Sequence, residues 1–295
     1  MRTLDKRETI ENSQQGYKPP VSVVLMRILA KTILKVLRIH GRSRWSNEFI
    51  QVINPSITVE VPGFESISDE PHIWFRTGHG RLFWRATQSP SLDIDTNNWI
   101  AQFAENDVFY DVGANIGLYS IMAAKFMKVH TFAVEIDLMN ARMLYENISM
   151  NGCQEKIMVL PIGLDNKSSQ ETLYLKTISY GDALHNLRKP NPMVRDYRGF
   201  QVQVPVFRLD DVIKILSLPS PTKLKIDVDG VDLAVLEGAS NALRTVTSSV
   251  IEYKPDSEER KKIHQLLAGQ GLTFNFESKG EHSWGTVDGF FSRRE

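Results

Sequence analysis

The chain has little cysteine, no excess charge and no long uncharged apolar run. Cys153 is the only cysteine among 295 residues, so an internal disulfide is excluded and a reducing compartment is favoured. The 35 basic and 35 acidic residues give a formal charge of zero. No overall field therefore favours nucleic acid or acidic substrates. With no internal repeat or low-complexity tract, the composition predicts a globular protein of the cytoplasm.

The N-terminal segment differs from the rest of the chain. Residues 1–20 are polar and end in two prolines, which predicts a loose tail. Residues 21–48 contain a basic amphipathic helix, whose charges share one narrow stripe at helical spacing: Arg27, Lys31, Lys35 and Arg38. Charges inside the apolar stretch make a membrane span a poor interpretation. The helix over 21–38 either packs on its own domain or on a second subunit, or lies peripherally on a membrane. We favour packing on protein.

Residues 49–103 read as a β/α extension, which we expect to form a lid on the acceptor side of the site. Short runs rich in aromatic and basic residues, 73–76 and 82–85, flank Gly78-His79-Gly80, which predicts a hairpin. Residues 93–103 have the pattern of a helix. The aromatic side chains of the hairpin either pack in the core, which we favour, or offer a stacking surface to sugar rings.

Residues 104–295 alternate between strand and helix. The predicted strands are 107–112, 130–135, 157–161, 223–228, 249–253, 272–276 and 286–292. The predicted helices are 118–126, 138–150, 209–216, 232–243 and 257–268. An insertion at about 163–206 contains two further strand candidates, 172–175 and 202–206. This alternation predicts an α/β fold with a mostly parallel sheet, helices on both faces and an antiparallel hairpin at one edge.

The run over residues 108–120 carries the most functional information. An apolar strand ends at Asp111, and Gly113 and Gly117 allow a sharp turn and a close approach by another molecule. We expect the turn to open onto free N–H groups at a helix N-terminus. The next strand ends in Glu135, 24 residues after Asp111, close to the spacing at which an acidic residue meets a ribose in nucleotide-binding folds. The G-x-G-x-x-G pattern of dinucleotide sites is missing, since Asn115 replaces a glycine.

Three segments together resemble one known family. Residues 111–117 (DVGANIG) resemble the first motif of class I S-adenosylmethionine-dependent methyltransferases, and of the FkbM family in particular. Residues 134–140 (VEIDLMN) resemble the second strand of that family, and residues 224–232 (LKIDVDGVD) resemble its fourth-strand signature. The resemblance extends over roughly residues 90–255. It implies a Rossmann-like sheet of seven strands, with S-adenosylmethionine as the cofactor.

The candidate cofactor-binding residues follow from these motifs. Glu135 would accept hydrogen bonds from the ribose hydroxyls, and Asn115 would offer its amide to the amino-acid tail. Asp137 precedes a helix, so we interpret it as an N-cap. Residues 162–164 could cover the adenine, and Asp165 either reaches its amino group or forms a turn. The full set is Asp111, Gly113, Ala114, Asn115, Gly117, Glu135, Ile136 and Gly163.

Asp227 and Asp229 are the candidate catalytic residues. They leave a strand at its carboxyl end, where ligands bind in such sheets, and alternation points both to one side. A carboxylate there could accept the proton of an acceptor hydroxyl. The pair could also hold a divalent metal, but no third ligand is evident from spacing, so we do not favour a metal. The lone histidines, His79, His185 and His282, we take as structural or exposed.

The sequence thus predicts an S-adenosylmethionine-dependent methyltransferase. The FkbM resemblance implies O-methylation of a hydroxyl on a glycan or a secondary metabolite. One alternative is a non-catalytic cofactor-binding or scaffold protein with the same fold. Another is a nucleic-acid methyltransferase, which the absence of a basic patch disfavours.

Overall fold

The computed structural model of the chain describes residues 56–62, 64–68, 71–76, 93–192, 194–278 and 285–293. The predicted tail over 1–20 and the region 21–48 with its predicted helix lie outside the described residues, as do His79, His282 and the second strand of the predicted hairpin. In the part of the chain that the structure describes, no helix has the length and apolar character needed to cross a membrane.

The regular elements follow the predicted alternation. In chain order the strands of the described residues are β1 (Ser56–Glu60), β2 (His72–Arg76), β3 (Val108–Val112), β4 (His130–Val134), β5 (Ile157–Leu160), β6 (Gly163–Leu164), β7 (Ser169–Leu175), β8 (Asn186–Leu187), β9 (Phe200–Phe207), β10 (Lys223–Ile226), β11 (Ser248–Tyr253), β12 (Leu272–Glu277) and β13 (Val287–Arg293). Their helices are α1 (Ile94–Ile100), α2 (Leu118–Phe126), α3 (Leu138–Met150), α4 (Leu209–Leu216), α5 (Asp232–Glu237) and α6 (Glu258–Gly269).

A seven-stranded sheet forms the centre of the fold, in the order β12-β13-β11-β10-β3-β4-β5. The pairs from β11 through β10, β3 and β4 to β5 are parallel. β13 pairs antiparallel with β11 and with β12, so the closing strands form the predicted antiparallel hairpin at one edge. The predicted α/β class, a mostly parallel seven-stranded sheet of Rossmann-like type with an antiparallel edge, is confirmed.

Both faces of this sheet are covered by helices, because its strands are apolar on both sides. One apolar cluster joins Phe109 of β3 to side chains of α1, α2 and α3, such as Ile121 and Leu144. The other joins Tyr110, the next residue of β3, to α4, α5 and α6, which include Leu236. Alternate residues of one strand therefore fill two cores, and the free edge for a ligand is the carboxyl end of the strands.

The predicted helix after β10 was too long. The helix expected over 232–243 ends at Glu237, and a short 3₁₀ turn follows at Ala242–Arg244. At Gly238, an added Cβ would lie 2.1 Å from the carbonyl oxygen of Asp165, so the backbone of the insertion packs directly on this position. A tertiary contact, which helical periodicity cannot reveal, thus ends the helix.

The insertion forms a second sheet in the order β6-β9-β7-β8. Its two predicted strands appear as β7 and β9, paired antiparallel from Ser169 opposite Val206 to Leu175 opposite Phe200. The two-residue strands β6 and β8 were not predicted, because such short segments have no measurable periodicity.

The described part of the N-terminal extension consists of the antiparallel pair β1–β2 and helix α1. Helix α1 is shorter than the 93–103 expected from the sequence. β2 is bound to α3, since Asn151 Oδ1 accepts the N–H of Trp74 at 2.9 Å and Asn147 Oδ1 accepts that of Arg76 at 2.8 Å.

Candidate functional site

A cavity of about 800 Å³ opens at the carboxyl ends of β3, β4 and β10. The insertion and the start of α1 complete its boundary. Eight of the ten predicted site residues contribute to its surface: Gly113, Ala114, Asn115, Glu135, Ile136, Gly163, Asp227 and Asp229. The first five form what we call the glycine-loop wall.

The other two predicted residues, Asp111 and Gly117, lie behind this wall. Asp111 has no exposed surface, and its Oδ2 accepts the hydroxyl of Ser120 at 2.6 Å. Burial raises the pKa of Asp111, against the opposing charge of Lys225. Gly117 begins α2 at a φ of 92°, and a Cβ there would lie 2.3 Å from Leu144 Cδ1. Both residues support the loop from within.

Gly113 is the point at which two strands of the site meet. Its φ of 86° is unfavourable for residues with a side chain, and an added Cβ would lie 1.9 Å from the carbonyl oxygen of Asp227. The N–H groups of Gly113 and Ala114 both donate to Val134 O, at 2.9 and 3.0 Å. The loop is therefore fixed to β4 on one side and packs on the backbone after β10 on the other.

Glu135 is the central polar residue of the glycine-loop wall. Its Oε2 accepts the N–H of Asn115 and its Oε1 accepts the N–H of Asp137, each at 2.7 Å. Burial raises the pKa of Glu135 to about 7, although these two hydrogen bonds oppose the shift. The expectation of free N–H groups was wrong at residues 113–115, because all three donate within the protein.

Asn115 lines the cavity with a positive φ of 50°. Its Nδ2 donates to the carbonyl oxygen of Asp182 at 2.9 Å. Its Oδ1 is buried without a hydrogen-bond partner among the described residues. A buried unpaired acceptor is costly, so this oxygen suits a ligand that carries a donor.

Residues 181–187, which we call the strap, connect the two sides of the cavity. The carbonyl oxygen of Asp182 accepts from Asn115 and also from Nδ2 of Asn140 at 3.1 Å. Two residues further on, the N–H of Leu184 donates to Asp229 Oδ2 at 2.7 Å. The strap thus binds the glycine loop at one point and the turn after β10 at another.

His185 belongs to the strap and is buried at the cavity. Its Nδ1 accepts the N–H of Lys176 at 3.1 Å, so the neutral ring carries its proton on Nε2. That nitrogen lies 3.2 Å from Asp137 Oδ2. Asp137 also caps α3 by accepting the N–H of Met139, which confirms the N-cap interpretation.

Residues 162–164 reach the cavity, but Asp165 does not contribute to its surface. Asp165 is fully buried, forms an ion pair with Arg188 and accepts the N–H of Asn166. Gly163 leaves space for its neighbours, because a Cβ there would lie 2.7 Å from the side chains of Ile136 and Val206.

Asp227 stands at the carboxyl end of β10 with its side chain 40% exposed. Its Oδ2 accepts from Lys225 Nζ at 2.8 Å. Burial lowers the pKa of Lys225, but the charges of Asp227, Asp288 and Asp111 more than compensate, so the net shift is upward. The amine is therefore held as an ammonium.

Asp229 plays a different part from Asp227. It has a φ of 54°, and its carboxylate is bound to the strap at Leu184. The turn that contains it is closed by Asp232, which accepts the N–H groups of Val228 and Gly230, each at 3.1 Å. Burial raises the pKa of Asp232 to about 7, while the hydrogen bond from Val228 opposes the shift.

Four carboxylates from distant parts of the chain form what we call the acidic wall: Asp93, Asp227, Glu252 and Asp288. Glu252 and Asp288 face each other in the β11–β13 register. Thr286 donates to Glu252 at 2.8 Å, and Tyr119 donates to Asp93 at 2.5 Å. Burial, followed by the charges of nearby carboxylates, raises the pKa of Glu252 well above its usual range.

Sequence reasoning did not assign roles to Asp93, Tyr119, Lys225, Glu252 or Asp288. Of these residues, only Lys225 lies in one of the three family-like segments, at residues 224–232. Within the described ranges, no group of three or more His, Cys, Asp or Glu side chains is arranged to hold a metal ion.

Comparisons with known proteins agree with this architecture. The family model described as the methyltransferase FkbM domain matches residues 111–276. Hexuronic acid methyltransferase AglP of Haloferax volcanii is 25% identical over 172 residues, which cover 57% of this chain and 64% of that protein. Methyltransferase sdnD of Sordaria araneosa is 28% identical over 199 residues, which cover 59% of this chain and 76% of that protein.

Among solved structures, methyltransferase FkbM from Methylobacillus flagellatus is similar, with a TM-score of 0.47 and 16% identity. The matched region covers 71% of this chain and 52% of that chain.

Proposed function

Since the chain belongs to the FkbM methyltransferase family, we propose that it binds S-adenosylmethionine and transfers the methyl group to a hydroxyl of a glycan or secondary metabolite. One observation carries the proposal. A single cavity brings together Glu135, at the end of β4, and Asp227, at the end of β10. The reaction needs two polar groups. One accepts hydrogen bonds from the ribose hydroxyls of the cofactor, and the other binds the hydroxyl that receives the methyl group.

The residues of the glycine-loop wall fit such a cofactor. Glu135 is a carboxylate whose oxygens each have a second lone pair beyond the backbone bonds they accept, which suits two ribose hydroxyls. The buried Oδ1 of Asn115 suits the ammonium of an amino-acid tail. Ile136 and the glycine at 163 offer an apolar surface for a flat base.

The cofactor supplies a methyl group on a positively charged sulfur, so the acceptor oxygen needs orientation more than it needs a strong base. Holding two reactants in line accounts for roughly 7–11 kcal/mol of a barrier. Asp227 accepts the hydrogen of the acceptor hydroxyl and would take its proton as the oxygen–carbon bond forms and the sulfur–carbon bond of the donor breaks, which leaves S-adenosylhomocysteine as the second product. Residues of the strap and of the start of α1 line the cavity beside these groups.

The acceptor class rests on the relatives. A hexuronic acid methyltransferase among them supports a sugar acceptor, and this chain spans slightly under two thirds of its length. The proposal needs no metal ion, because orientation and a carboxylate suffice for a donor that is already activated.

Two measurements test the proposal. Calorimetry should show binding of S-adenosylmethionine and of S-adenosylhomocysteine; no binding at millimolar ligand, or preference for NAD, would overturn it. A cell lysate supplied with methyl-labelled cofactor should then yield a labelled glycan or small metabolite. Binding without any labelled product would support the non-catalytic scaffold, and label in nucleic acid would support a nucleic-acid methyltransferase.

A further inference from the structure

Lys225 is a lysine in the interior of the central strand β10, with 1% of its surface exposed. A buried ammonium is unfavourable unless opposite charges surround it. Its Nζ donates to Asp227 Oδ2 at 2.8 Å and lies 4.7 Å from the centre of the Tyr119 ring. In the strand register it is opposite the buried Asp111. The charge is thus compensated, mainly by a carboxylate at the cavity.

We propose that Lys225 is the positioning residue of this site, whose ammonium fixes the carboxylate of Asp227 at the cavity surface to receive the acceptor hydroxyl. The inference rests on the proposed function, since it assigns a role to a residue behind the reacting groups.

The position of Asp227 explains why such a residue is needed. β10 ends at Ile226, and the chain then enters a turn in which Asp229 and Gly230 both have positive φ. The N–H of Asp227 donates to Val112 O at 3.0 Å, which fixes its backbone. The side chain, 40% exposed, is directed by the bond from Lys225. The backbone is therefore anchored to β3 and the side chain to β10 before any ligand arrives, and preorganisation of this kind lowers the cost of orientation.

Charge around Asp227 gives the second reason. The titratable groups that face it from the other packed elements are acidic or phenolic: Asp111 on β3, Tyr119 on α2, Asp232 on α5, Glu252 on β11 and Asp288 on β13. Like charges at short range favour protonation of one another. The ammonium of Lys225 opposes this effect and keeps Asp227 able to accept a hydrogen.

The same strand contains a matched control. Lys223 lies two residues earlier and also places its ammonium over an aromatic ring, 5.6 Å from the centre of Phe103. It donates to Thr247 Oγ1 at 2.9 Å and lies 3.7 Å from Asp107 Oδ2. It is at the opposite end of the strand from the cavity, so its loss tests what a lysine contributes to the sheet alone.

The first test compares Lys225→Met with Lys223→Met. Using the acceptor identified by labelling, Lys225→Met should lower kcat about 10²-fold or more. The Kd of S-adenosylhomocysteine should stay within about threefold, because the glycine-loop wall is untouched. Lys223→Met should keep kcat. Equal losses of kcat in both variants would mean that Lys225 has only a structural role. A loss of cofactor binding in step with kcat would mean the same.

The second test needs no turnover. The carboxyl carbon of Asp227 is followed by NMR against pH in ¹³C-aspartate-labelled protein, with Asp227→Asn giving the assignment. In Lys225→Met the pKa of Asp227 should rise by about one unit or more, and Lys223→Met should leave it unchanged. An unchanged titration overturns the proposal. This titration does not depend on methyl transfer. It therefore tests the role of Lys225 even if the proposed function fails in the labelling experiment.

A double variant covers the case in which Lys225→Met does not fold. Lys225→Met/Asp227→Asn removes both charges of the pair and should fold, because no unpaired carboxylate remains at 227. Its kcat should match that of Asp227→Asn alone, since the two residues act as one unit. A further loss of tenfold or more would show that Lys225 acts elsewhere.

Discussion

The glycine-loop wall and the acidic wall face one cavity but are assembled differently. The first is held by hydrogen bonds that the N–H groups of residues 113–115, after β3, donate to Val134 O and Glu135 Oε2 at the end of β4. The second takes carboxylates from positions as distant as 93 and 288. The residues of the glycine-loop wall come from two short segments of the sequence, whereas those of the acidic wall come together only when the sheet forms. Removal of single groups should therefore affect binding on one side and turnover on the other.

The largest effect is expected on the acidic wall. Asp227→Asn should lower turnover by roughly 10²–10⁴, because the acceptor hydroxyl loses its charged partner. The dissociation constant of S-adenosylhomocysteine should change little. Transfer of labelled methyl and calorimetry measure the two quantities.

Asp229→Asn serves as the neighbouring comparison. Its carboxylate binds the strap at Leu184, so its loss should mainly raise the KM of the acceptor. Wild-type turnover in Asp227→Asn would place the reaction elsewhere in the cavity. Loss of activity with a chelator, restored by magnesium, would show that the pair holds a metal.

The next largest effect should appear on both walls at once. Gly113→Ala puts a Cβ 1.9 Å from the carbonyl oxygen of Asp227, so the loop and the turn must separate. We expect the free energy of unfolding to fall by about 3 kcal/mol, with weaker cofactor binding and slower turnover together. Chemical denaturation and calorimetry measure the loss.

Gly152→Ala is the control for that variant. Gly152 also has a positive φ, 66°, but no atom lies within 4 Å of an added Cβ. The free energy of unfolding of Gly152→Ala should therefore fall only by the small cost of placing an alanine at a positive φ. Equal losses at 113 and 152 would mean that the contact between the walls has no energetic role.

A smaller effect is expected at the glycine-loop wall. Glu135→Ala should weaken cofactor binding by about 1–3 kcal/mol, since the ribose hydroxyls lose a charged acceptor. As a control, Glu155→Ala at an exposed position should bind the cofactor with wild-type affinity. If the dissociation constant in Glu135→Ala stays at the wild-type value, the ribose lies elsewhere.

The pH dependence of binding sharpens the same assignment. Burial raises the pKa of Glu135 to about 7, and ribose hydroxyls bind the ionised carboxylate better. Affinity should therefore be complete above pH 7 and fall by up to about tenfold per unit below it. In Glu135→Gln this slope should flatten; an identical slope in both proteins would assign the proton to another group.

The smallest effect concerns the N-terminal helix predicted over 21–38, which we expect to pack on protein. Liposomes of anionic lipid should not float the full-length chain, and removal of residues 1–38 should change nothing in that assay. Flotation that depends on these residues would instead assign the helix to a membrane surface.

The sequence predicted well whatever depends on neighbours in the chain. Helices α2, α3 and α4 begin and end as expected, because apolar periodicity and caps such as Asp137 are local signals. The order of motifs gave the sheet, and eight of the ten expected site residues reached the cavity. For Asp111 and Gly117 the motif correctly marks the loop, although their atoms lie behind its surface.

What sequence reasoning missed depends on tertiary contacts. Glu252 and Asp288 become neighbours only through the antiparallel register of β11 and β13. In the sequence Lys225 is a single charge in an apolar strand. Its role follows from the carboxylates of Asp111 on β3, Asp288 on β13 and Asp227 after its own strand. The early end of α5 at Glu237 has the same origin, because the backbone of the insertion occupies the space beside Gly238.

The contact between Gly113 and the carbonyl of Asp227 has a consequence for redesign. Since no side chain separates the two walls, their spacing is set by main-chain atoms alone. New acceptor specificity can therefore be introduced by exchanging side chains at 93, 252 and 288, while grafting a different loop after β10 would also displace the cofactor loop.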